Sequence, residues 1–483
     1  MPDPRADRAF VRSIQTQAVC DWPVRKETDS LGTKTIPSDA YWGIHVSRAL
    51  DNFPISGRPI SVYPDLTFGF ACVKQAAARA NAEIGVLDKP RAELIDQVCE
   101  EIKEGKLHDQ FVVDIMQGGA GTSTNMNFNE VIANRCLELG GYCKGDYVHL
   151  DPIDHVNKSQ STNDVYPTAL KIGLCLAIER LLTELRNLGA AFHDKASEFT
   201  GILKVGRTQL MDAVPMTLEQ EFESFAVTLA EDHARFESLI DQLGEINLGG
   251  TAIGTGIAAD PRYTEAVRRH LAAITGYNIR TAANLVEATT DVGVFMDVSA
   301  TLKRSAMKLS KICNDLRLLG SGPRAGIGEI TLPAQQAGSS IMPGKVNPVI
   351  PEVVNQVAFI VAGADVTVSL AAEGGQLQLN AFEPVMAHAL FESLTWLTAA
   401  IRTLRINCIT GITANRERLA EQVGSVVGVI TALIPRIGYA AAAKLAMEAL
   451  ARHENIADLV VQSGLMTREQ VLETLSPERL TQN

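Results

Sequence analysis

Aromatic side chains are scarce in this chain of 483 residues, because Phe, Trp and Tyr together make up only 5% of it. Apolar residues nevertheless reach 46%, and alanine and leucine are abundant. This composition is more typical of closely packed helices than of a β-sandwich. The length allows two or three domains, or one large core with smaller satellites.

Basic residues are also fewer than acidic ones. The chain has 44 Lys and Arg against 56 Asp and Glu, which leaves a formal net charge of −12. A nucleic-acid partner therefore has no electrostatic support. A small dicarboxylate substrate stays compatible with this charge, because a few local cations outweigh a diffuse and screened field.

Signatures of metal sites and membrane segments are missing. The nine histidines form no His-Glu-x-x-His, and the eight cysteines form no Cys-x-x-Cys, so we expect no zinc site. Scattered cysteines are typical of reduced thiols, which predicts a cytoplasmic protein. No uncharged apolar run approaches about 18 residues, so no membrane-spanning helix is expected. Residues 1–25 lack an apolar signal core and are predicted to be a loose extension.

Helical periodicity dominates the chain from residue 64 onward, whereas 26–62 is predicted to be irregular. Helices are expected at 64–85, 89–104, 127–139, 165–197, 217–246, 288–319 and 439–452, with two short ones in 454–475. The helix at 165–197 is apolar almost all round at its centre, and the helix at 217–246 carries a heptad seam with one gap at Asp232.

This pattern predicts an all-α fold. We expect an extension at 1–25, a mostly helical domain at 26–162, a bundle of long helices at 163–417 and a small helical domain at 418–483. The apolar seam of 217–246 could lie inside a monomeric bundle or between subunits. The helix lengths and the all-round apolar stretch favour the second alternative.

The most informative segment is 338–348, Gly-Ser-Ser-Ile-Met-Pro-Gly-Lys-Val-Asn-Pro. Two glycines and two prolines predict a loop. It carries two hydroxyls, one amide and one fixed cation: Ser339, Ser340, Asn347 and Lys345. Such a loop can bind a carboxylate, or stabilise a serine alkoxide through its backbone N–H groups and its lysine. The alternative is a mobile surface loop, but Ile341 and Met342 argue against a solvated surface.

Three further segments place hydroxyl and amide residues beside glycine or next to a predicted helix: 117–125, 159–164 and 206–210. The first two precede predicted helices, whose N-termini present unpaired N–H groups to an anion. For either one alone, ordinary N-capping is the simpler explanation. The four segments together indicate one anion-binding pocket.

Residues 338–348 resemble the signature of the fumarase/aspartase superfamily, and the resemblance extends from about Leu31 to the C-terminus. It implies a homotetramer with a twenty-helix core, in which each active site is shared between subunits. The segments 117–134, 159–164 and 349–356 are closer to the aspartase pattern than to the fumarase pattern. Gln209 also replaces a histidine that fumarases need to activate water, and glutamine cannot take up a proton near neutral pH.

The resemblance implies a reversible β-elimination of ammonia from L-aspartate, giving fumarate through an enediolate, without metal or organic cofactor. Ser339 would remove the Cβ proton, and Lys345 would favour its alkoxide. The β-carboxylate would be bound by Thr122, Ser161, Thr162 and Ser340. The α-carboxylate would be bound by Lys345, Asn347 and Thr208, and the amino group would face Asn163 and Gln209. Three alternatives stay open: a fumarate hydratase, a lyase acting on an N-substituted aspartate, and a non-catalytic structural protein of the lyase fold.

Overall fold

The computed structural model describes residues 24–452, 454–476 and 479–480. Nearly all of the predicted extension, residues 1–23, lies outside this part of the chain. The described residues belong to two compact units. The first unit takes the chain up to Leu176, together with Ile240–Phe295 and Thr367–Phe391, and the second takes Ala177–Leu239, Met296–Val366 and the chain from Glu392 onward. The predicted boundaries at 162 and 417 stay a prediction.

Helices make up most of the described residues, which confirms the all-α prediction. They are α1 (Ile44–Asn52), α2 (Pro64–Glu83), α3 (Lys89–Lys103), α4 (Thr122–Leu139), α5 (Thr162–Glu198), α6 (Leu218–Leu243), α7 (Tyr263–Thr275), α8 (Leu285–Thr290), α9 (Gly293–Leu319), α10 (Val349–Glu373), α11 (Glu383–Asn407), α12 (Arg416–Ser425), α13 (Ile434–Ile437), α14 (Tyr439–Arg452), α15 (Ile456–Gln462) and α16 (Arg468–Thr474).

The strands of the described residues are short and form two-stranded pairs. They are β1 (Val24–Asp29) with β2 (Gly32–Pro37), β3 (Leu203–Thr208) with β4 (Met211–Thr217), β5 (Glu245–Ile246) with β6 (Arg280–Thr281), and β7 (Ile330–Thr331) with β8 (Thr413–Ala414). Only the β5–β6 pair is parallel among these.

The predicted irregular stretch at 26–62 is wrong in two places. Residues 24–37 form the β1–β2 hairpin, in which Asp29 pairs with Gly32 across a two-residue turn. Gly32 closes that turn with a φ of 117°, a conformation that favours glycine. Helix α1 follows at Ile44–Asn52. The charged and threonine-rich strands carry little apolar alternation, so the local pattern did not predict them.

The heptad seam of α6 is confirmed, but it is covered within a single chain. Every apolar member of the seam is buried: Leu218, Phe222, Phe225, Leu229, Phe236, Leu239, Leu243 and Ile246. Asp232, the gap in the seam, is also buried and is paired with Arg304 and Lys308 of α9. This pairing offsets the cost of burying its charge. The expectation that the seam joins subunits is therefore wrong, because one chain already buries it.

Helix α9 starts later than the predicted 288, because residues 285–290 form the separate helix α8. The side chain of Asn284 accepts hydrogen bonds from the backbone N–H groups of Val286 and Glu287 and so caps α8. Asp291 then adopts an extended conformation, which ends α8 before α9 begins at Gly293.

The core of the first unit holds α4 and the start of α5 in place. Phe70 of α2 stacks on Phe128 of α4 with ring centroids 4.5 Å apart, and its ring meets Tyr166 of α5 edge-on at 5.6 Å. A Cβ on Gly69 would lie 2.2 Å from the carbonyl oxygen of Ala169, so only glycine permits α2 to approach α5 this closely.

Helix α10 is the one helix in the described ranges that is long and apolar enough, by length and composition, to cross a membrane. Only 33% of its most apolar window is buried. The helix nevertheless contains a charged residue, Asp365. This carboxylate accepts a hydrogen bond from Ser299 at 2.9 Å and pairs with Lys303. Helix α10 thus presents a largely uncovered apolar surface, whereas the sequence pattern predicts such a surface on α6.

Candidate active site

The turn before α4 presents Thr122 at a helix N-terminus. Gly119, Ala120 and Gly121 all have positive φ, and a Cβ on Gly121 would lie 2.2 Å from the ring of Tyr166. Helix α4 begins directly at Thr122, five residues before the predicted start. The Thr122 side chain is exposed there. The glycines therefore force the chain into a tight turn that aims the first N–H groups of α4 outward.

The second hydroxyl-rich segment meets the first one at the start of α5. The amide Nδ2 of Asn125 donates to the Thr162 hydroxyl at 3.0 Å. Ser161 accepts a hydrogen bond from the backbone N–H of Asn163 at 3.2 Å, which is the N-capping geometry of the simpler alternative. The structure thus brings both helix N-termini together within the first unit.

A buried polar cluster that the sequence did not predict supports this junction. Asn157 Oδ1 accepts hydrogen bonds from Lys74 Nζ at 3.0 Å, Asn125 Nδ2 at 3.1 Å and Asn129 Nδ2 at 3.2 Å. Complete burial lowers the pKa of Lys74 to about 7. A lysine inside the apolar pattern of α2 carries no local signal of this role, since its partners come from distant segments.

The glycine-rich loop at 247–256 was also missed. It contains Gly249, Gly250, Gly254 and Gly256 beside an asparagine and two threonines. This composition matches the four predicted segments, so it was a usable signal. In the structure, the backbone N–H groups of Gly249 and Thr251 donate to Asp164 Oδ2 at 3.1 and 2.9 Å. The loop is therefore attached directly to the first turn of α5.

The third predicted segment lies on the β3–β4 hairpin of the second unit. Gln209 and Leu210 form its two-residue turn with φ values of 54° and 63°, as hairpins with a right-handed twist require. Thr208 and Gln209 are exposed at the tip. The base of the hairpin is held by Glu329, which is fully buried and pairs with Lys204 at 2.9 Å and with Arg207.

The loop at 338–348 is closed by two hydrogen bonds. The Gly338 N–H donates to the Lys345 carbonyl at 2.8 Å, and Asn347 Nδ2 donates to the Gly338 carbonyl at 2.7 Å. Inside this closure the Ser339 hydroxyl accepts from the N–H groups of Ile341 and Met342 at 3.2 and 3.0 Å. Two converging N–H donors favour negative charge on the serine oxygen.

The outer face of this loop is open in the single chain. Ile341 is 83% exposed, and Lys345 and Ser340 are also exposed. Ile341 and Met342 predict a covered loop, but a single chain leaves both side chains exposed. The predicted residues are divided between the two units: the first contains Thr122, Ser161, Thr162 and Asn163, and the second contains Thr208, Gln209, Ser339, Ser340, Lys345 and Asn347.

Two family models match separate parts of this helical chain. The model described as "Lyase" covers residues 32–363, and the model "Fumarase C C-terminus" covers residues 429–482. The chain belongs to the fumarase/aspartase superfamily of lyases.

Relatives in this family are similar over almost their full length. Aspartate ammonia-lyase of Pseudomonas aeruginosa is 54% identical over 457 residues, which are 94% of this chain and 96% of that protein. The Helicobacter pylori J99 protein of the same name is 50% identical and covers 95% of this chain and 98% of its own length.

Solved structures show the same fold. Fumarate lyase:delta crystallin from Brucella melitensis, bound to cobalt, has a TM-score of 0.92 and 50% identity and covers 95% of this chain and 99% of its own. Class II fumarase from Schistosoma mansoni has a TM-score of 0.89 and 32% identity, covering 94% and 98%.

Proposed function

We propose that this protein is an aspartate ammonia-lyase, which converts L-aspartate reversibly into fumarate and ammonia. Relatives that carry this name are 48–54% identical over nearly the whole chain. Gln209 supports the same choice over a hydratase. It stands where a fumarase would need a proton-accepting histidine, and an amide cannot act as that base.

The observation that carries the mechanism is the Ser339 hydroxyl with its two backbone donors. Removal of the weakly acidic Cβ proton needs a strong base, and a serine alkoxide is accessible only where its charge is stabilised. The N–H groups of Ile341 and Met342 supply this stabilisation at 3.2 and 3.0 Å. Lys345, on the same loop, adds a positive charge. Ser339 therefore acts as the base in this proposal.

The elimination places a second negative charge on the β-carboxylate as the enediolate forms. Donors that are already in place stabilise such a charge best, because they need no reorganisation. The N-termini of α4 and α5, which meet through Asn125 and Thr162, provide backbone N–H groups and hydroxyls of this kind. We assign the β-carboxylate to Thr122, Ser161, Thr162 and Ser340, the α-carboxylate to Lys345, Asn347 and Thr208, and the amino group to Asn163 and Gln209.

We also propose a homotetramer in which each site is shared between subunits. The uncovered face of α10 supports this assembly, since Phe359 and Leu370 are 62% and 66% exposed in the single chain. Large exposed apolar surfaces of this kind mark subunit contacts. The open outer face of the 338–348 loop is a second surface that a neighbouring chain would cover.

A cytoplasmic location completes the proposal. The seven cysteines of the described residues form no disulfide with one another, and Cys143 is exposed. Unbridged thiols of this kind are typical of a reducing compartment. Fractionation of cells that express the tagged protein tests this location, and recovery in the membrane fraction would contradict it.

The reaction is tested by following the absorbance of fumarate with L-aspartate, L-malate or an N-substituted aspartate as the sole substrate. We expect fumarate to form fastest from L-aspartate, with ammonia released in equal amount. Faster turnover of malate would establish a hydratase instead. Turnover of the substituted aspartate alone would establish a different amine as the leaving group, while inactivity with all three substrates would remove the enzymatic proposal.

Shared sites are tested by mixing two inactive variants, Ser339→Ala and Thr208→Val, then unfolding and refolding them together. If Ser339 and Thr208 of one site come from different chains, each is intact with a chance of about one half. Random mixed tetramers should then recover roughly a quarter of the wild-type activity. Mixed tetramers that stay inactive would show that one chain supplies both residues.

A further inference from the structure

The buried carboxylate of Asp164 joins two segments of the first unit. Its side chain is completely buried. Oδ1 accepts a hydrogen bond from the Ser161 N–H at 3.0 Å, and Oδ2 accepts from the N–H groups of Gly249 and Thr251. One carboxylate thus holds the first turn of α5 against the glycine-rich loop 247–256. Desolvation raises the pKa of Asp164 to about 7, because it outweighs the backbone N–H donors that favour the charged form.

The same loop determines which way the amide of Asn163 points. Asn163 Nδ2 donates to the carbonyl oxygen of Ala252 at 2.7 Å. A carbonyl oxygen can only accept a hydrogen bond, so the NH₂ group must face Ala252. Asn163 Oδ1 is therefore directed elsewhere, and within the described residues no side chain or backbone group donates to it. Asn163 Oδ1 can therefore accept a hydrogen bond from a ligand.

A second contact prevents the turn from rotating. Asn247 Nδ2 donates to the backbone carbonyl of Asn163 at 3.0 Å and to the Thr289 hydroxyl at 3.1 Å. Asn163 is consequently held at its main chain by Asn247 and at its side chain by Ala252. Both contacts come from the loop that Asp164 attaches to α5.

We propose that Asp164 and Asn247 are positioning residues for amine recognition, because they fix the loop that turns the Asn163 oxygen toward the substrate's amino group. An ammonium group needs acceptors, whereas a carboxylate needs donors. If Asn163 reversed, its NH₂ would face the ammonium and the preference for an amine would be lost. The inference rests on the proposed ammonia-lyase activity and names the part of that site which selects the leaving group.

The test uses the reverse reaction, in which ammonium and fumarate are varied separately. We expect Asp164→Asn to raise KM for ammonium about tenfold, which corresponds to about 1.4 kcal/mol, and to leave KM for fumarate within about twofold. Asn247→Ala should likewise raise KM for ammonium more than KM for fumarate, and it should fold even if the Asp164 variant does not, because it removes no buried charge.

Glu130→Gln is the matched control. Glu130 is as buried as Asp164 and also accepts three backbone N–H groups, those of Gly43, His45 and Val46, and burial raises its pKa to about 7 as well. We expect it to lower the thermal unfolding midpoint without changing the ratio of the two KM values.

The inference and the underlying function fail in different ways. A wild-type enzyme that forms no aspartate from fumarate and ammonium would overturn the proposed function. If the wild type is active, the inference is overturned when folded Asp164→Asn and Asn247→Ala leave both KM values unchanged. It is also overturned when both values rise in parallel, as they would after a general loss of structure.

Discussion

Replacing Gly338 by alanine tests whether the closed form of the 338–348 loop is needed for turnover. A Cβ at this position would lie 2.7 Å from both the Asn347 nitrogen and the Lys345 carbonyl oxygen. Both atoms belong to the backbone of the opposite side of the loop, so no flexible side chain can move out of the way. The methyl group must therefore push the two sides apart.

The expected size of the effect follows from the bonds that close the loop. The two hydrogen bonds that join Gly338 to Lys345 and Asn347 each contribute about 1 kcal/mol net. Steric strain from an inserted methyl is typically about 1–3 kcal/mol. The strain is thus of the same size as the total of about 2 kcal/mol that closes the loop, so the loop should open rather than the protein unfold.

Opening would displace Ser339 from its proposed position, and a shift of about 1 Å can cost about a hundredfold in rate. We therefore expect kcat for fumarate formation from aspartate to fall about a hundredfold, with little change in the thermal unfolding midpoint measured by circular dichroism.

Gly344→Ala is the control within the same loop. Its φ of 81° disfavours alanine by about 1–2 kcal/mol, but a Cβ there meets no atom within 4 Å. Its rate should consequently fall less than that of Gly338→Ala. Wild-type turnover in a folded Gly338→Ala protein, or a larger loss in Gly344→Ala, would contradict a role of loop closure in turnover.

Three further predictions concern single side chains. Ser339→Ala should abolish fumarate formation and leave the unfolding midpoint unchanged, since Ser339 lies on an exposed loop; measurable turnover would disprove its role as the base. Lys345→Met should raise KM for aspartate and lower kcat together, and a change in stability alone would make Lys345 structural. The Arg48 guanidinium lowers the pKa of Asp29 from 3.8 to about 2, so this carboxylate stabilises the fold above pH 3.8 and loses that effect as the pH falls through about 2. Asp29→Asn should therefore lower the urea concentration at the unfolding midpoint at neutral pH and lower it less at pH 2. An equal decrease at both pH values would contradict the pairing.

Local sequence signals were sufficient to predict most helices and the chemistry of the 338–348 loop. The long helices were predicted because apolar residues recur at helical spacing over many turns, and such patterns need no distant partner. The heptad pattern of α6 also showed that Asp232 interrupts the apolar seam. The 338–348 loop followed from two glycines and two prolines, which restrict the backbone locally.

Tertiary structure alone decided how these elements combine. The roles of Lys74, Asp164 and Asn247 depend on partners that are tens of residues or more away in the chain, so no window of sequence contains them. The covered seam of α6 and the open face of α10 look alike as patterns of apolar residues. Only the packing of the folded chain decides which apolar face is buried, because burial depends on what lies opposite, and a helical period says only which residues share a face.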